Sequence, residues 1–397
     1  MLRVPRFQSF AWQGLRSLGC ASGIYRSFSY STFRNSHQFS QIPSQSPDHQ
    51  SQYERFFRYS SGCWLWDEEE QMRLRYAPFD VQRLQHLAAA AVGARTCIAM
   101  AKTAEGDYSK SFRLTMDNGA TVIAKISRPF EAPEYYTTAS EVATMDFVRS
   151  VLNIPTPHVY AWSADSANSV GVEYILMAEL EGSPLEEIWD QLPLEERIPI
   201  LDDLVAVEKK LSSVFFNRYG SIYFASDNVP GAVPAEITGD VPAEAKDQFM
   251  QRYSIGPVTD TDFWRKERAA METDRGPWKH PLEYLLALAS CQEQWIVRHA
   301  SANTPSNVCA YSAAQYSPAA HLSLLQKFRP YLLPDEPATT TAPMIWHTGI
   351  HPGNFFVKDG RITGITNWHE VWARPLILQS STPRGAVLRG EDLRTAA

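Results

Sequence analysis

Residues 345–368 read IWHTGIHPGNFFVKDGRITGITNW. Two histidines, His347 and His351, stand a few residues before Asn354, and a second asparagine, Asn367, follows thirteen residues after it. These side chains can bind ligands or hold a proton in place. This stretch is the most specific functional signal in the sequence.

The composition is that of a globular protein with a substantial core. The chain has 397 residues, 44% of them hydrophobic and 20% charged, which suggests one large two-lobed domain or two separate ones. With 37 Lys and Arg against 44 Asp and Glu, the net charge is −7, so nucleic acid is not an expected partner. No apolar stretch approaches the roughly 20 residues needed to span a bilayer, so an integral membrane protein is not expected. The five cysteines show no C-x-x-C spacing, which argues against a disulfide framework or a zinc site.

The amino-terminal residues 1–47 contain five arginines, many serines and interspersed apolar residues, but no Asp, Glu or Lys. This composition is typical of a mitochondrial presequence, and Arg26 to Ser29 resembles a matrix-peptidase cleavage site. The alternative is a disordered basic tail. Residues 40–52 have the composition of a polar linker. The sequence therefore predicts a transit peptide and linker over 1–52, contact with the mitochondrial import machinery, and a mitochondrial location.

The next part of the chain, residues 53–180, has the pattern of a small sheet with one helix packed on it. A helix is expected from Asp80 to Gly93, with Asp80 as N-cap. A second is expected to begin at Thr138, and Asn118-Gly119 predicts a hairpin. The predicted strands are Thr96–Met100, Ser111–Thr115, Thr121–Ile126, His158–Trp162 and Tyr174–Met177.

Beyond Leu180 the pattern becomes mainly helical as far as residue 379, and residues 380–397 are expected to be an irregular tail. A β-rich amino-terminal lobe followed by a helical carboxyl-terminal lobe is an α+β arrangement. The predicted helices are Leu185–Gln191, Leu194–Phe215, Tyr284–His299 and Leu322–Phe328.

Two residues of the amino-terminal lobe could act on a nucleotide. Lys125 lies in an apolar strand and Glu141 in the helix that follows, and a buried lysine paired with a helical glutamate can hold phosphates. The turn that contains Gly106 and Ser109 could lie over the same phosphates. The alternatives are that Lys125 is an ordinary strand lysine and that Glu141 completes a capping box with Thr138.

Residues 345–368 resemble the aminoglycoside phosphotransferase and choline-kinase superfamily. That family has a loop of the form H-x-D-x-x-x-x-N, with a metal-binding Asp about thirteen residues later in an I-D-W context. The segments containing Phe263-Trp264, Asp274 to Trp278 and Tyr136 to Met145 resemble, more narrowly, the fungal mitochondrial subfamily of altered inheritance of mitochondria protein 9. The resemblance covers about 56–379 and implies a protein-kinase-like two-lobed fold.

The resemblance also implies roles for individual residues. Lys125 would hold the phosphates of ATP, and Glu141 would orient it. The segment from Met177 to Leu180, which includes Glu179, would be the hinge against adenine. His347 would brace the loop that contains the family's catalytic residues.

Two positions depart from the family pattern. Gly349 stands where the family has its catalytic Asp, and Asn367 where it has the metal-binding Asp, whereas Asn354 is retained as a Mg²⁺ ligand. Glycine cannot accept a proton, and Mg²⁺ prefers carboxylate oxygens. His351 could take over the proton and Glu370 could reach the metal, although Glu370 could equally be an acidic residue at a helix start.

Three hypotheses follow from the sequence. The first is a catalytically impaired, kinase-like pseudoenzyme that retains nucleotide binding. The second is an active ATP-dependent phosphotransferase whose small-molecule acceptor is unknown, and the third is a non-enzymatic mitochondrial interaction protein. Only 30 residues follow Asn367, so the sequence also predicts a shortened carboxyl-terminal lobe.

Overall fold

The structure is a computed structural model that describes residues 53–65, 67–106, 108–127, 133–300, 317–332 and 338–379. The predicted presequence and linker, residues 1–52, and the predicted tail, residues 380–397, lie outside these residues. The cleavage site near Ser29 therefore stays a prediction.

An antiparallel sheet forms the centre of the amino-terminal lobe. Its strands lie in the spatial order β1, β2, β3, β5, β4, and every neighbouring pair is antiparallel. The predicted hairpin is confirmed, since Thr115 pairs with Thr121 and Gly119 has a φ of +84°. Glycine adopts this left-handed conformation without steric cost. Strands β1 to β5 span Cys97–Glu105, Ser109–Met116, Thr121–Ser127, Val159–Ser163 and Tyr174–Ala178.

Helices cover both faces of this sheet. The predicted N-cap is confirmed, because the Asp80 carboxylate accepts a hydrogen bond of 2.9 Å from the backbone N–H of Arg83. The other predicted start is wrong: the helix that contains Glu141 begins at Tyr136, two residues before Thr138. Helices α1 to α4 span Glu54–Phe57, Glu68–Leu74, Val81–Ala91 and Tyr136–Ser150.

Strand β3 shows how the alternation of side chains positions the site. Val122, Ala124 and Ile126 are buried in the core cluster that also contains residues of α3. The intervening residues face the opposite side of the sheet, because successive side chains of a strand alternate. Ile123 packs there against the core cluster that contains residues of α4. Lys125 therefore lies on the α4 side.

The carboxyl-terminal lobe contains longer helices joined by short strands. Helices α5 to α11 span Leu185–Ile188, Leu194–Ser212, Ala243–Arg252, Pro281–His299, Pro318–Phe328, Ala338–Thr341 and Leu376–Gln379. Strands β6 to β15 span Ser183–Pro184, Val214–Phe216, Ser221–Phe224, Val233–Pro234, Ile237–Gly239, Tyr253–Gly256, Pro343–Met344, Phe355–Lys358, Arg361–Ile365 and Arg374–Pro375. Among the described residues, no helix combines the length and apolar character needed to cross a bilayer.

Two of the predicted helices were too long. The helix predicted over Leu194–Phe215 ends at Ser212, and Val214–Phe216 is a strand that pairs with β10. Its valine and two phenylalanines favour a pleated, half-buried surface over a helix end. The segment predicted as Leu185–Gln191 ends as a 3₁₀ turn after Ile188.

The largest core cluster contains residues of both lobes. Val142 and Ile175 of the amino-terminal lobe share it with Phe355, Ile365 and Trp368 of the carboxyl-terminal lobe. The polar residues of the 345–368 segment are therefore carried on a backbone anchored by buried apolar side chains. Each such side chain contributes roughly 1.5–3 kcal/mol of burial free energy.

Several residues of the subfamily motifs have a structural place in a separate core. Phe263 and Trp278 pack with Tyr284, with ring centroids 5.4 to 6.3 Å apart. The Trp278 indole N–H donates to the Asp274 carboxylate at 2.8 Å. These motif residues hold the carboxyl-terminal lobe together.

Candidate nucleotide site

Lys125 and Glu141 form a buried ion pair between β3 and α4. The Lys125 ammonium donates to both carboxylate oxygens of Glu141, at 2.6 and 2.7 Å, and the two residues are 7% and 3% exposed. The capping-box alternative is wrong, because the Thr138 hydroxyl lies 2.9 Å from the Ser127 hydroxyl instead. The sequence prediction that Lys125 and Glu141 pair is confirmed by these contacts.

The β1–β2 turn and the carboxyl-terminal lobe meet beside this pair. The Gly106 N–H donates to the Ser109 carbonyl at 3.0 Å, which closes the turn. The Tyr108 ring lies 5.2 Å from the His369 imidazole. A cavity of about 100 Å³ opens there. Its lining includes Tyr108, Lys125, Thr137, Glu141 and His369.

The predicted hinge follows strand β5. Met177 is buried and pairs with Ile123 and Val159 in neighbouring strands. The side chain of Glu179 accepts a hydrogen bond of 2.7 Å from Arg113, and this bond holds the pKa of Glu179 below its ordinary value. The segment follows an interior strand of the sheet, and its backbone leads from β5 into the carboxyl-terminal lobe.

His347 is buried against the end of the 345–368 segment. Its Nε2 lies 2.9 Å from the carbonyl oxygen of Thr366, and its ring meets the Trp368 ring edge-on with a centroid distance of 4.7 Å. Burial lowers the pKa of His347 to about 4. The imidazole is therefore neutral at physiological pH and contacts both Thr366 and Trp368, while its role as the brace of the loop stays a prediction.

The Asn354 side chain packs against Gly349, which stands where the family has its catalytic Asp. The Asn354 Nδ2 donates to the Gly349 carbonyl at 2.7 Å and lies 3.1 Å from the Nε2 of His351. A Cβ placed on Gly349 would lie 2.7 Å from that same Nδ2 and 3.7 Å from the Nδ2 of Asn367. Gly349, His351, Asn354 and Asn367 are thus brought together, but without a carboxylate among them.

His351 has partners on both ring nitrogens. Its Nδ1 accepts a hydrogen bond of 3.1 Å from the Gly353 N–H, and its Nε2 faces Asn354. A general base needs a free lone pair directed at the acceptor hydroxyl. These contacts argue against the idea that His351 replaces the missing Asp.

The donor set fits Mg²⁺ poorly. Asn354 and Asn367 are neutral, and each could offer a metal only its amide oxygen. Across the described part of the chain, no group of three or more His, Cys, Asp or Glu side chains could hold a metal ion. Mg²⁺ demands octahedral oxygen ligands and usually takes one or two carboxylates. The residues that correspond to the family's metal ligands do not supply them.

Glu370 lies in a turn, so its interpretation as a helix-start acid is wrong; it has a left-handed φ of +59°. Burial, together with the charge of Asp260, raises the pKa of Glu370 to about 7. Burial and the charge of Asp262 also raise the pKa of Asp260, to about 6. Glu370 therefore belongs to an acidic group next to the site.

Two buried polar residues were not among the predicted site residues: His369 lines the cavity, and Lys110 lies beside the β1–β2 turn. His369 is held neutral, since burial and the charge of Lys125 lower its pKa to about 3. Lys110 is fully buried below the β1–β2 turn. The burial of Lys110 could have been predicted from the sequence, because Lys110 lies on the same face of β2 as the apolar residues Phe112 and Leu114. No pattern in the sequence marks His369.

Comparison with known proteins gives consistent matches. A family model described as "Phosphotransferase enzyme family" matches residues 101–368. The Subtelomeric hrmA-associated cluster protein of Aspergillus fumigatus is 32% identical over 321 residues, which cover 72% of this chain and 60% of that protein. The mitochondrial Altered inheritance of mitochondria protein 9 of Yarrowia lipolytica is 30% identical, over 59% of this chain and 44% of the relative. That of Lachancea thermotolerans is 24% identical, over 85% and 65%.

The chain therefore spans about half to two thirds of the length of these relatives. The word "mitochondrial" in the names of the yeast relatives agrees with the predicted location. Among solved structures, an apo thermostable mutant of aminoglycoside phosphotransferase APH(4)-Ia matches with a TM-score of 0.40 and 14% identity, over 74% of this chain and 73% of that one. A streptomycin and ATP complex of an APH(2")-IIa enzyme matches with a TM-score of 0.42 and 10% identity, over 76% and 74%.

Proposed function

Because the chain belongs to the phosphotransferase enzyme family, we propose that it is a kinase-like mitochondrial protein that binds a nucleotide but has lost most or all phosphoryl transfer. The observation that carries the loss is the Asn354 amide, which lies within 2.7 Å of where a Cβ on Gly349 would stand. The mitochondrial location is proposed from residues 1–47 and from the names of the relatives.

Nucleotide binding is supported by the amino-terminal lobe. The Lys125 ammonium is held by Glu141 beside a cavity that reaches the β1–β2 turn. A lysine fixed in this way presents its charge to phosphate oxygens without reorganising when the ligand arrives. Under this proposal Lys125 contacts the phosphates of ATP, Gly106 and Ser109 cover them, and the backbone near Met177 meets adenine.

Loss of catalysis is supported by the carboxyl-terminal lobe. Phosphoryl transfer needs a carboxylate that positions the attacking hydroxyl, and Gly349 has none. Removing a general base lowers a rate typically by 10²–10⁴-fold. Because Asn354 and Asn367 do not fit Mg²⁺, no step is assigned to a metal in this protein.

A thermal-shift measurement with ATP, with and without Mg²⁺, tests the proposal. A nucleotide at 100 times its dissociation constant adds about 2.7 kcal/mol of stability. We expect ATP to raise the melting temperature without Mg²⁺, and Mg²⁺ to add little. Lys125→Ala should abolish the shift, whereas Lys209→Ala, on the exposed surface of α6, should retain it.

The alternatives predict different results. An unchanged melting temperature with ATP would overturn nucleotide binding and favour the non-enzymatic interaction protein. Magnesium-dependent ATP turnover by the wild type that Lys125→Ala abolishes would favour the active phosphotransferase. Retention of a reporter fused to residues 1–47 in the cytosol would contradict the mitochondrial address.

A further inference from the structure

The segment that precedes the sheet is fastened to the base of the β1–β2 turn. We call residues 53–61 the strap. Phe56 and Phe57 are buried, and their rings meet Phe112 and Phe79 edge-on at centroid distances of 5.4 and 5.3 Å. These contacts bury the strap in the same core cluster as α3.

A buried lysine joins β2 to the strap. Lys110 is 0% exposed, and its ammonium donates to the backbone carbonyls of Phe57 and, at 3.4 Å, of Phe56. The same ammonium lies 3.3 Å from the Glu105 carboxylate. A buried charge is costly unless it is paired and hydrogen-bonded. The strap supplies the hydrogen-bond acceptors and Glu105 supplies the charge.

A buried glutamate joins β1 to the strap. One oxygen of Glu105 accepts hydrogen bonds from the backbone N–H of Ser60 at 2.8 Å, the Ser60 hydroxyl at 3.2 Å and the Lys102 ammonium at 3.0 Å. Lys102 also donates to the Arg58 carbonyl at 3.0 Å. Burial alone would raise the pKa of Glu105, but these hydrogen bonds and the charge of Lys110 bring it below its ordinary value. The carboxylate is therefore ionised in the folded protein.

The positions of these charges in the sheet connect them to the candidate site. Glu105 is the last residue of β1 and Lys110 the second residue of β2, so the two flank the turn that contains Gly106 and Ser109. On its other side the same turn places Tyr108 against His369. The turn thus lies between the strap and the carboxyl-terminal lobe.

Stability alone does not require buried charges here, because the aromatic contacts already bury the strap. Replacing a buried ion pair with apolar residues of similar volume is often neutral or stabilising. Directional hydrogen bonds instead fix the position of the strap relative to the turn. We propose that Lys110 and Glu105 are positioning residues which, through the strap, hold the β1–β2 turn in place over the phosphates. The proposal rests on the proposed nucleotide binding.

Hydrogen exchange of the full chain without nucleotide tests the mechanical part of this proposal. The variants are Lys110→Met and Ser60→Pro, the second of which removes the N–H and the hydroxyl that Ser60 donates to Glu105. In both variants, peptides that span the β1–β2 turn should exchange at least 10-fold faster. The same variants should bind ATP about 10-fold more weakly. The control is Leu285→Ala, which makes a cavity in α8 within a core cluster that contains no strap residue, and it should lower stability but leave turn exchange and ATP affinity near wild type.

A double variant separates positioning from stability. Lys110→Met with Glu105→Gln removes both fully buried charges and leaves Lys102, which is partly exposed and still donates to the Arg58 carbonyl, so its melting temperature should exceed that of Lys110→Met. ATP affinity and turn exchange should nevertheless stay impaired. The proposal would be overturned if ATP affinity and turn exchange returned to wild-type values in the double variant together with the melting temperature. Unchanged turn exchange in Ser60→Pro would overturn it as well. Failure of wild type to bind ATP would refute the proposed function instead, and the exchange measurements would still decide on the strap.

Discussion

The two halves of the candidate site differ in charge. In the amino-terminal lobe, Lys125 and Glu141 form a buried ion pair with a distance of 2.6 Å. In the carboxyl-terminal lobe, the positions where the family has carboxylates hold Gly349 and Asn367, and the amide of Asn354 donates to the Gly349 carbonyl. We call the Lys125–Glu141 pair the charged half of the site. The group of Gly349, Asn354 and Asn367, which carries no charge, is the neutral half.

Under the proposed function, this difference distinguishes the half that binds the nucleotide from the half that has lost its chemistry. A buried ion pair is weak evidence for stability, since apolar replacements are often as stable. Its presence is better explained by a ligand that needs the lysine. Two carboxylates near a phosphate site, by contrast, destabilise the fold through their burial and mutual repulsion. Under the proposed function, neutral residues at these positions avoid that cost.

The largest effect is expected from restoring the charge of the carboxyl-terminal lobe. The double variant Gly349→Asp with Asn367→Asp should raise magnesium-dependent phosphate release from ATP by about 10²–10⁴-fold, the usual contribution of a general base. The measurement is phosphate release at saturating ATP with and without Mg²⁺.

The matched control for this variant is Gly349→Ala with Asn367→Asp. It forces the Asn354 amide to move in the same way, because the new Cβ would lie 2.7 Å from Nδ2, but it adds no carboxylate at 349. It should stay near the wild-type rate. Equal rates for wild type and the double Asp variant would mean that the natural loop is already competent.

The next largest effect is expected from removing one charge of the Lys125–Glu141 ion pair. Lys125→Met leaves Glu141 as an uncompensated buried charge, which costs about 3–5 kcal/mol. Adding Glu141→Gln should recover most of this free energy of unfolding, as measured by denaturant titration. Neither variant should gain stability from ATP. Should the double variant still be stabilised by ATP, the pair would not be the phosphate contact.

The charged half was the easier of the two to predict from sequence. The apolar alternation in β3 and the helical spacing after it are local patterns, and they place Lys125 and Glu141 on facing surfaces. The helix start was missed, because the hydroxyl of Thr138 is engaged by Ser127 and the helix begins earlier, after Tyr135. A tertiary contact there overrides a local capping preference.

For the neutral half, the sequence predicted the residue types but not how their side chains are arranged. The absence of carboxylates at Gly349 and Asn367 can be read from the sequence alone. The turn of the Asn354 amide onto the Gly349 carbonyl cannot, because it depends on the packing of the whole segment. The contact of the strap with Lys110 was missed for a similar reason: it joins residues 53 positions apart.

A smaller effect is expected from changing the pH, which acts on His347 next to the neutral half. The folded pKa of His347 is lowered to about 4 from an ordinary value of 6.5. Between these values the unfolded chain binds a proton that the folded chain does not, so this residue removes stability as pH falls. His347→Gln should therefore cost more at pH 7.5 than at pH 4.5, by on the order of 2 to 3 kcal/mol. Denaturant titrations of both proteins at the two pH values measure this difference, and an equal cost at both would contradict a neutral, buried imidazole.

The smallest effect concerns the carboxylate that remains in the neutral half. The folded pKa of Glu370 is raised to about 7 from 4.5, so its contribution to stability is complete below pH 4.5 and is lost as pH rises through 7. Because part of the residue is exposed to solvent, we expect Glu370→Gln to gain about 1–2 kcal/mol relative to wild type between pH 5 and pH 8. If Glu370 instead reached a metal, millimolar Mg²⁺ at pH 8 would stabilise wild type and not the variant. We expect no such difference, because positions 354 and 367 hold Asn and therefore supply no second carboxylate for a metal ion.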